Sequence, residues 1–229
     1  MMIFGQGFSA LQVLIAIVAF SLAITIALVL HEWAHAWAAY KSGDATAKMM
    51  GRMSINPRRH VEPLGLVSFI FVGIGWAKPV PVNPFNYRNF RRGNFFVSIA
   101  GIVVNFILAI VFSLALALML RFTELELVNI LRNPDGVATW VWMLGFFFYI
   151  TAFLNVALMI FNLLPIYPLD GYNILRSFTK PDNRYMQFVR NNTHWLLITV
   201  ILVLVFSGLF GLMRNGIINL LLGFWSLIF

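Results

Sequence analysis

Cysteine is absent from all 229 positions. Its absence excludes a disulfide scaffold, a thiolate metal site and a cysteine nucleophile. Charge is almost as scarce. Only 10% of residues are Asp, Glu, Lys or Arg, while 61% are hydrophobic. Soluble domains carry about 25% charged and about 45–50% apolar residues. An ordinary soluble enzyme and a disordered chain are therefore excluded. Acids are the scarcer sign, 8 against 16 Lys and Arg, giving a net charge of +8. No internal repeat, low-complexity tract or long polar linker interrupts the chain.

What is present is long apolar sequence. Five stretches lack Asp, Glu, Lys and Arg: Phe8–Leu30, Asn94–Leu120, Gly136–Leu169, Asn191–Met213 and Asn215–Phe229. The first four are long enough to cross a hydrocarbon core of about 30 Å as helix. A sixth, Pro63–Ala77, has 15 residues with three glycines. That is short for a span and suits a re-entrant or interfacial segment. The runs do not alternate as barrel strands do. Phe8–Leu30 has no basic segment before it and no clear processing site after it, so it reads as a span rather than a cleaved signal. The expected fold is an all-α polytopic membrane protein with about five to six transmembrane helices. A re-entrant or short β segment is expected between the first and second long spans. Residues 1–229 are expected to form a single membrane-embedded domain with no appended soluble domain.

The bases set the orientation. Nine Lys and Arg lie between Lys41 and Arg92, and four more are Arg176, Lys180, Arg184 and Arg190. Met1–Leu30 has none. An N-terminus outside puts 13 of the 16 bases in the cytoplasm, provided that Pro63–Ala77 does not cross. The basic excess is then a collar facing the lipid bilayer, and nucleic acid is not the expected partner.

The first span runs into His31-Glu32-Trp33-Ala34-His35. His31 and His35 are i and i+4, so on a helix both imidazoles face one way and can share one Zn²⁺. Glu32 sits about 100° round the helix, where it can take a proton from water without ligating the metal. Such residues are costly in an apolar helix and point to function. A catalytic zinc needs a third protein ligand and an open position. His60, His194 and a few acids remain. Asp170 stands out, because it follows Pro165 and Pro168 at the end of a long apolar run. On the residues alone, Asp170 is either that ligand or a turn or cap residue before Gly171.

The HExxH pattern at His31–His35, with Asn162-Leu163-Leu164-Pro165-Ile166-Tyr167-Pro168-Leu169-Asp170-Gly171, resembles the site-2 protease family of intramembrane zinc metalloproteases, peptidase family M50. His60-Val61-Glu62-Pro63-Leu64-Gly65, Trp76–Pro84 and Ala100–Asn105 look like its compact bacterial and archaeal branch. The resemblance implies His31, His35 and Asp170 as ligands of one zinc per chain, and Glu32 as the general base. It also points to Asn105 and Asn162 as groups that hold substrate or the oxyanion. Ile102, Glu62 and Tyr167 depart from the family pattern, and none falls on a ligand. Lys78–Pro84, with three prolines, favours extended backbone. Its Lys78, Val80 and Val82 are candidates to pair a substrate strand, and Lys41–Asn56 is a candidate to supply strands beside it. The function implied is intramembrane zinc endopeptidase, acting on a single-pass membrane protein from the cytoplasmic side of the cell membrane. Two alternatives are a catalytically inactive homologue that binds membrane proteins and a zinc or proton transporter.

Overall fold

A computed structural model describes residues 9–72, 77–132, 137–180 and 183–228. Ten α-helices run along these residues: α1 (Ala10–Ser42), α2 (Thr46–Met49), α3 (Pro63–Val72), α4 (Phe90–Thr123), α5 (Leu127–Arg132), α6 (Thr139–Asn162), α7 (Asp170–Phe178), α8 (Arg184–Asn191), α9 (Thr193–Phe206) and α10 (Leu209–Ile228). Short 3₁₀ turns occupy Pro57–Arg59 and Pro84–Asn86. Among the described residues there is no strand, only an isolated antiparallel bridge between Val61 and Ala77.

Helix α1 begins with a reciprocal cap. Ser9 N–H donates to Gln12 Oε1 at 2.7 Å, and Gln12 N–H donates to Ser9 Oγ at 3.3 Å. The helix ends at Gly43, whose left-handed φ of 113° terminates it. Between these caps no proline or glycine interrupts the chain, so the helix carries the whole HExxH motif well past the charge-free run. Ala16, Ala19 and Ala23 keep one face of α1 small, and Phe20 and Ile24 fill the gaps between them. That face packs on Trp142, Phe146, Ile150 and Leu154 of α6. Helix α4 packs against both α1 and α6. Ala109 of α4 meets Val156 and Ile160 of α6 and Ile218 of α10. These four helices, α1, α4, α6 and α10, are long and apolar enough to cross a membrane.

Two expectations differ from the described residues. The count of long apolar helices is four among the described residues, against about five to six expected. Part of the difference lies in the last two charge-free runs. The chain breaks at Gly208, with φ of 67°, rather than at Arg214, which lies inside α10. The break leaves α9 with 14 residues. At 1.5 Å per residue that is about 21 Å, short of the hydrocarbon thickness. Lys41–Asn56 forms the end of α1, α2 and turns, not strands. Asp44 explains this locally. Its Oδ1 accepts from Thr46 N–H at 3.1 Å, a turn that competes with extended pairing. Residues 73–76 of the expected re-entrant segment lie outside the described residues. The part before them is helical, as α3.

Candidate metal centre

His31 and His35 sit one turn apart on α1, with rings nearly perpendicular at 88° and centroids 4.5 Å apart. Their Nε2 atoms are 3.0 Å apart. Asp170, the first residue of α7, brings Oδ2 to 3.4 Å from each. Tetrahedral ligands at about 2.0–2.1 Å from zinc are separated by about 3.3 Å. The three atoms therefore have about the spacing that three ligands of one tetrahedral zinc would need.

The chemistry of the donors fits as well as their spacing. His35 Nδ1–H donates to the Val97 carbonyl at 2.7 Å, and His31 Nδ1–H donates to Asn105 Oδ1 at 3.2 Å. With Nδ1 protonated, each Nε2 keeps the lone pair that a metal needs. Asp170 Oδ2 is buried and makes no hydrogen bond. A buried carboxylate oxygen without a donor is costly, and a cation between it and the two imidazoles removes that cost. Among the described residues, this is the group of three whose ligand atoms lie close enough to hold a metal.

Helix α4 supports the centre at two points. A Cβ on Gly101 would lie 2.5 Å from His31 Cε1 and 2.7 Å from His35 Nε2. Glycine at this position lets α4 lie directly against both imidazoles. Gly101→Ala is therefore expected to push the rings off the metal position. Zinc affinity should fall at least on the order of 10–100-fold, the usual cost of losing an orienting partner. Competition of the purified variant against a chelator of known affinity measures it. Asn94 is the second support. Its Nδ2–H donates to the Asn173 carbonyl at 2.5 Å and to Ser177 Oγ at 2.9 Å, tying α4 to α7. Gly171 seats the start of α7, since a Cβ there would lie 2.2 Å from the Leu163 carbonyl oxygen.

Glu32 Oε2 accepts from Val80 N–H at 2.7 Å, so the extended segment touches the candidate base directly. Val80 is buried against Ala36 and Ala47. Lys78 is exposed and donates its backbone N–H to the His60 carbonyl at 2.8 Å, while Val82 is 37% exposed. Asn105 is buried at the centre, with Nδ2 lacking a partner. Asn162 instead turns its amide back to the Leu158 carbonyl of its own helix. The two other histidines do not join the metal group. His60 is buried and donates from Nε2 to the Ser54 carbonyl at 2.5 Å, and His194 is exposed at the start of α9. Burial chiefly holds the His60 imidazole below its ordinary pKa. Reading the sequence missed Asn94 and the role of Gly101. A glycine inside a long helix was the available signal for the second, because it costs about 1 kcal/mol relative to Ala and calls for a packing reason.

Two histidines one turn apart and an adjacent glutamate on the apolar α1, met by a carboxylate from the short α7, are the donor set that a membrane metallopeptidase centre would use. The sequence profile described as peptidase family M50 matches residues 19–206. The chain belongs to that family, the site-2 proteases, and is a zinc metallopeptidase of it. It is 39% identical over 161 residues to "Putative zinc metalloprotease YwhC" of Bacillus subtilis, covering 70% of this chain and 69% of that protein. It is 32% identical over 166 residues to "Putative zinc metalloprotease Rip2" of Mycobacterium tuberculosis, covering 69% of this chain and 56% of that protein. The protein of the same name in Mycolicibacterium smegmatis is 28% identical over 185 residues, 78% of this chain and 64% of that protein. The chain thus spans little more than half to two thirds of these relatives' lengths. No solved structure matches it.

Proposed function

We propose that the chain is an intramembrane endopeptidase that hydrolyses peptide bonds within or near transmembrane segments of membrane proteins. The observation that carries this reading is the meeting of His31 and His35, on the apolar, membrane-length α1, with Asp170 at the start of α7 at 3.0–3.4 Å, beside Glu32. One zinc per chain, held by those three residues, would polarise the scissile carbonyl and make water acidic enough to deprotonate near neutral pH. Glu32 takes the proton from water and passes it to the leaving amine. Asn105 Nδ2, buried and unpartnered, is the donor available to the oxyanion. Asn105 is preferred to Asn162 for this task, because Asn162 is engaged with its own helix.

The substrate class follows from the site's setting. A transmembrane helix hides its peptide bonds, so a single-pass client must unwind and be held extended. Lys78, Val80 and Val82 are the residues to hold it. Pro79 and Pro81 offer no N–H, and Lys78 and Val80 give theirs to the His60 carbonyl and to Glu32, which leaves Val82 N–H as the donor of residues 78–82 for a substrate backbone. A comparison of membranes bearing wild-type and Glu32→Gln protein tests the function. Uncleaved single-pass proteins should accumulate with the variant, and identical membrane proteomes would contradict the reading.

Orientation rests on the charges. Thirteen of 16 bases favour an N-terminus outside and a cytoplasmic active site. The Val61–Ala77 bridge supports a segment that turns back on itself rather than crossing, since it brings the two ends together. The absence of native cysteine makes labelling clean. Ala45→Cys and Arg88→Cys should both react with an impermeant maleimide from the cytoplasmic side. Reaction from opposite faces would exclude the re-entrant reading.

A further inference from the structure

We propose that Asp44 is a positioning residue for Glu32: it anchors the 78–86 segment so that Val80 N–H meets the Glu32 carboxylate. This rests on Glu32 being the general base. Asp44 lies two residues beyond the end of α1, the same helix that carries Glu32. Its side chain is fully buried. Burial of a carboxylate is expensive without donors, and here four are supplied. Oδ1 accepts from Thr46 N–H at 3.1 Å, from Thr46 Oγ1–H at 2.5 Å and from Asn86 Nδ2–H at 2.8 Å. Oδ2 accepts from Asn83 N–H at 2.6 Å. Two of the four come from the far segment, three to six residues beyond Val80.

Burial alone would push the Asp44 carboxyl up. The donors from Asn83, Thr46 and Asn86 outweigh it and hold the group below its ordinary value, so it stays ionised at neutral pH. The surrounding backbone is built for the same approach. Gly43 adopts φ of 113°, and a Cβ there would lie 2.9 Å from the Asn86 carbonyl oxygen. Arg88 N–H donates to the Ser42 carbonyl at 2.9 Å. The other end of the segment is held separately. Arg52 Nη2 donates to the Lys78 and Pro79 carbonyls at 2.8 and 3.2 Å. Between these anchors, Val80 N–H is a backbone donor that reaches Glu32. Helix α1 and the turn that ends it therefore grip the segment twice, through the base itself and through Asp44 twelve residues on. Without the Asp44 anchor, the segment keeps the Arg52 and Ser42 bonds at its two ends, while the stretch from Val82 to Asn86 between them loses its hold on the turn after α1.

A nitroxide on Val82→Cys, at a partly exposed position in the segment, reads this directly by electron paramagnetic resonance. A second label on Leu202→Cys in α9 serves as the remote control. Both are made in the full chain, purified and reconstituted with zinc. Asp44→Asn should raise the mobile population at position 82 on the order of tenfold or more, the weight of one hydrogen bond to a charged group. Position 202 and a near-unit zinc content should not change. An unchanged spectrum at 82 would overturn the proposal. So would equal loosening at 202 with loss of zinc, which would make Asp44 a general structural residue. Asn86→Ala, which removes one exposed donor and leaves the buried carboxylate three others, should give a smaller rise at 82 only. No rise there would also count against it. None of these readouts requires hydrolysis, so failure of the peptidase reading would appear in the client comparison and not here.

Discussion

Glu32→Gln should keep the fold and the zinc and lose peptide hydrolysis by about 10²–10⁴-fold, the usual contribution of general acid–base catalysis. The amide has the same shape as the carboxylate and keeps an oxygen that can accept from Val80 N–H. The extended segment should therefore stay in place. Glu32 is not among the three groups that converge on the metal position, so zinc content should remain near one per chain. What the amide cannot do is take a proton from water and hand it to the leaving nitrogen. Single-turnover kinetics on a client protein in detergent, with zinc measured on the same sample, separates these effects. Turnover at the wild-type rate by the zinc-loaded variant would exclude Glu32 as the base.

Asp170→Asn should weaken zinc binding by more than the roughly 10–100-fold seen when an outer partner of a ligand is lost. Here the change falls on a proposed ligand itself. The carboxylate is the anion of the set, and its Oδ2 is 3.4 Å from both imidazole nitrogens. An amide oxygen occupies the same place without the charge. Two neutral imidazoles and an amide are then left to hold a dication in a buried site. Activity should fall with the metal. Asp170→Glu keeps the charge and displaces the oxygen by one methylene, so it should cost activity more than zinc. Titration of each variant against a zinc chelator, alongside turnover at saturating zinc, distinguishes the two patterns.

Much of the centre was legible in the sequence, for reasons specific to its parts. His31 and His35 are local: a four-residue spacing on a helix determines that both rings share a face. Glu32 follows from the same geometry. Asp170 is 135 positions further on, and no spacing rule reaches that far. It was legible only through the pattern around Pro165, Pro168 and Gly171, while the residues alone left a turn aspartate open. The fold was legible where composition decides it, as in α1, α4 and α6. It was not legible where backbone conformation decides it. Gly208 breaks the C-terminal apolar region, yet a scan for charge stops at Arg214, which α10 absorbs without interruption. The Asp44–Asn83 and Glu32–Val80 contacts join the 78–86 segment to the turn after α1 and to α1 itself, across 39 and 48 positions. They depend on where the chain returns in space. Asn94 reads as the polar edge of an apolar run, and only the packing of α4 on α7 shows it to be a tie between helices.

Zinc K-edge X-ray absorption on the purified, zinc-loaded protein tests the central claim most directly. The His31, His35 and Asp170 centre predicts nitrogen and oxygen donors only, at about 2.0–2.1 Å, with the outer scattering of two imidazoles. A third imidazole, from His60 or His194, or fewer than two would contradict it.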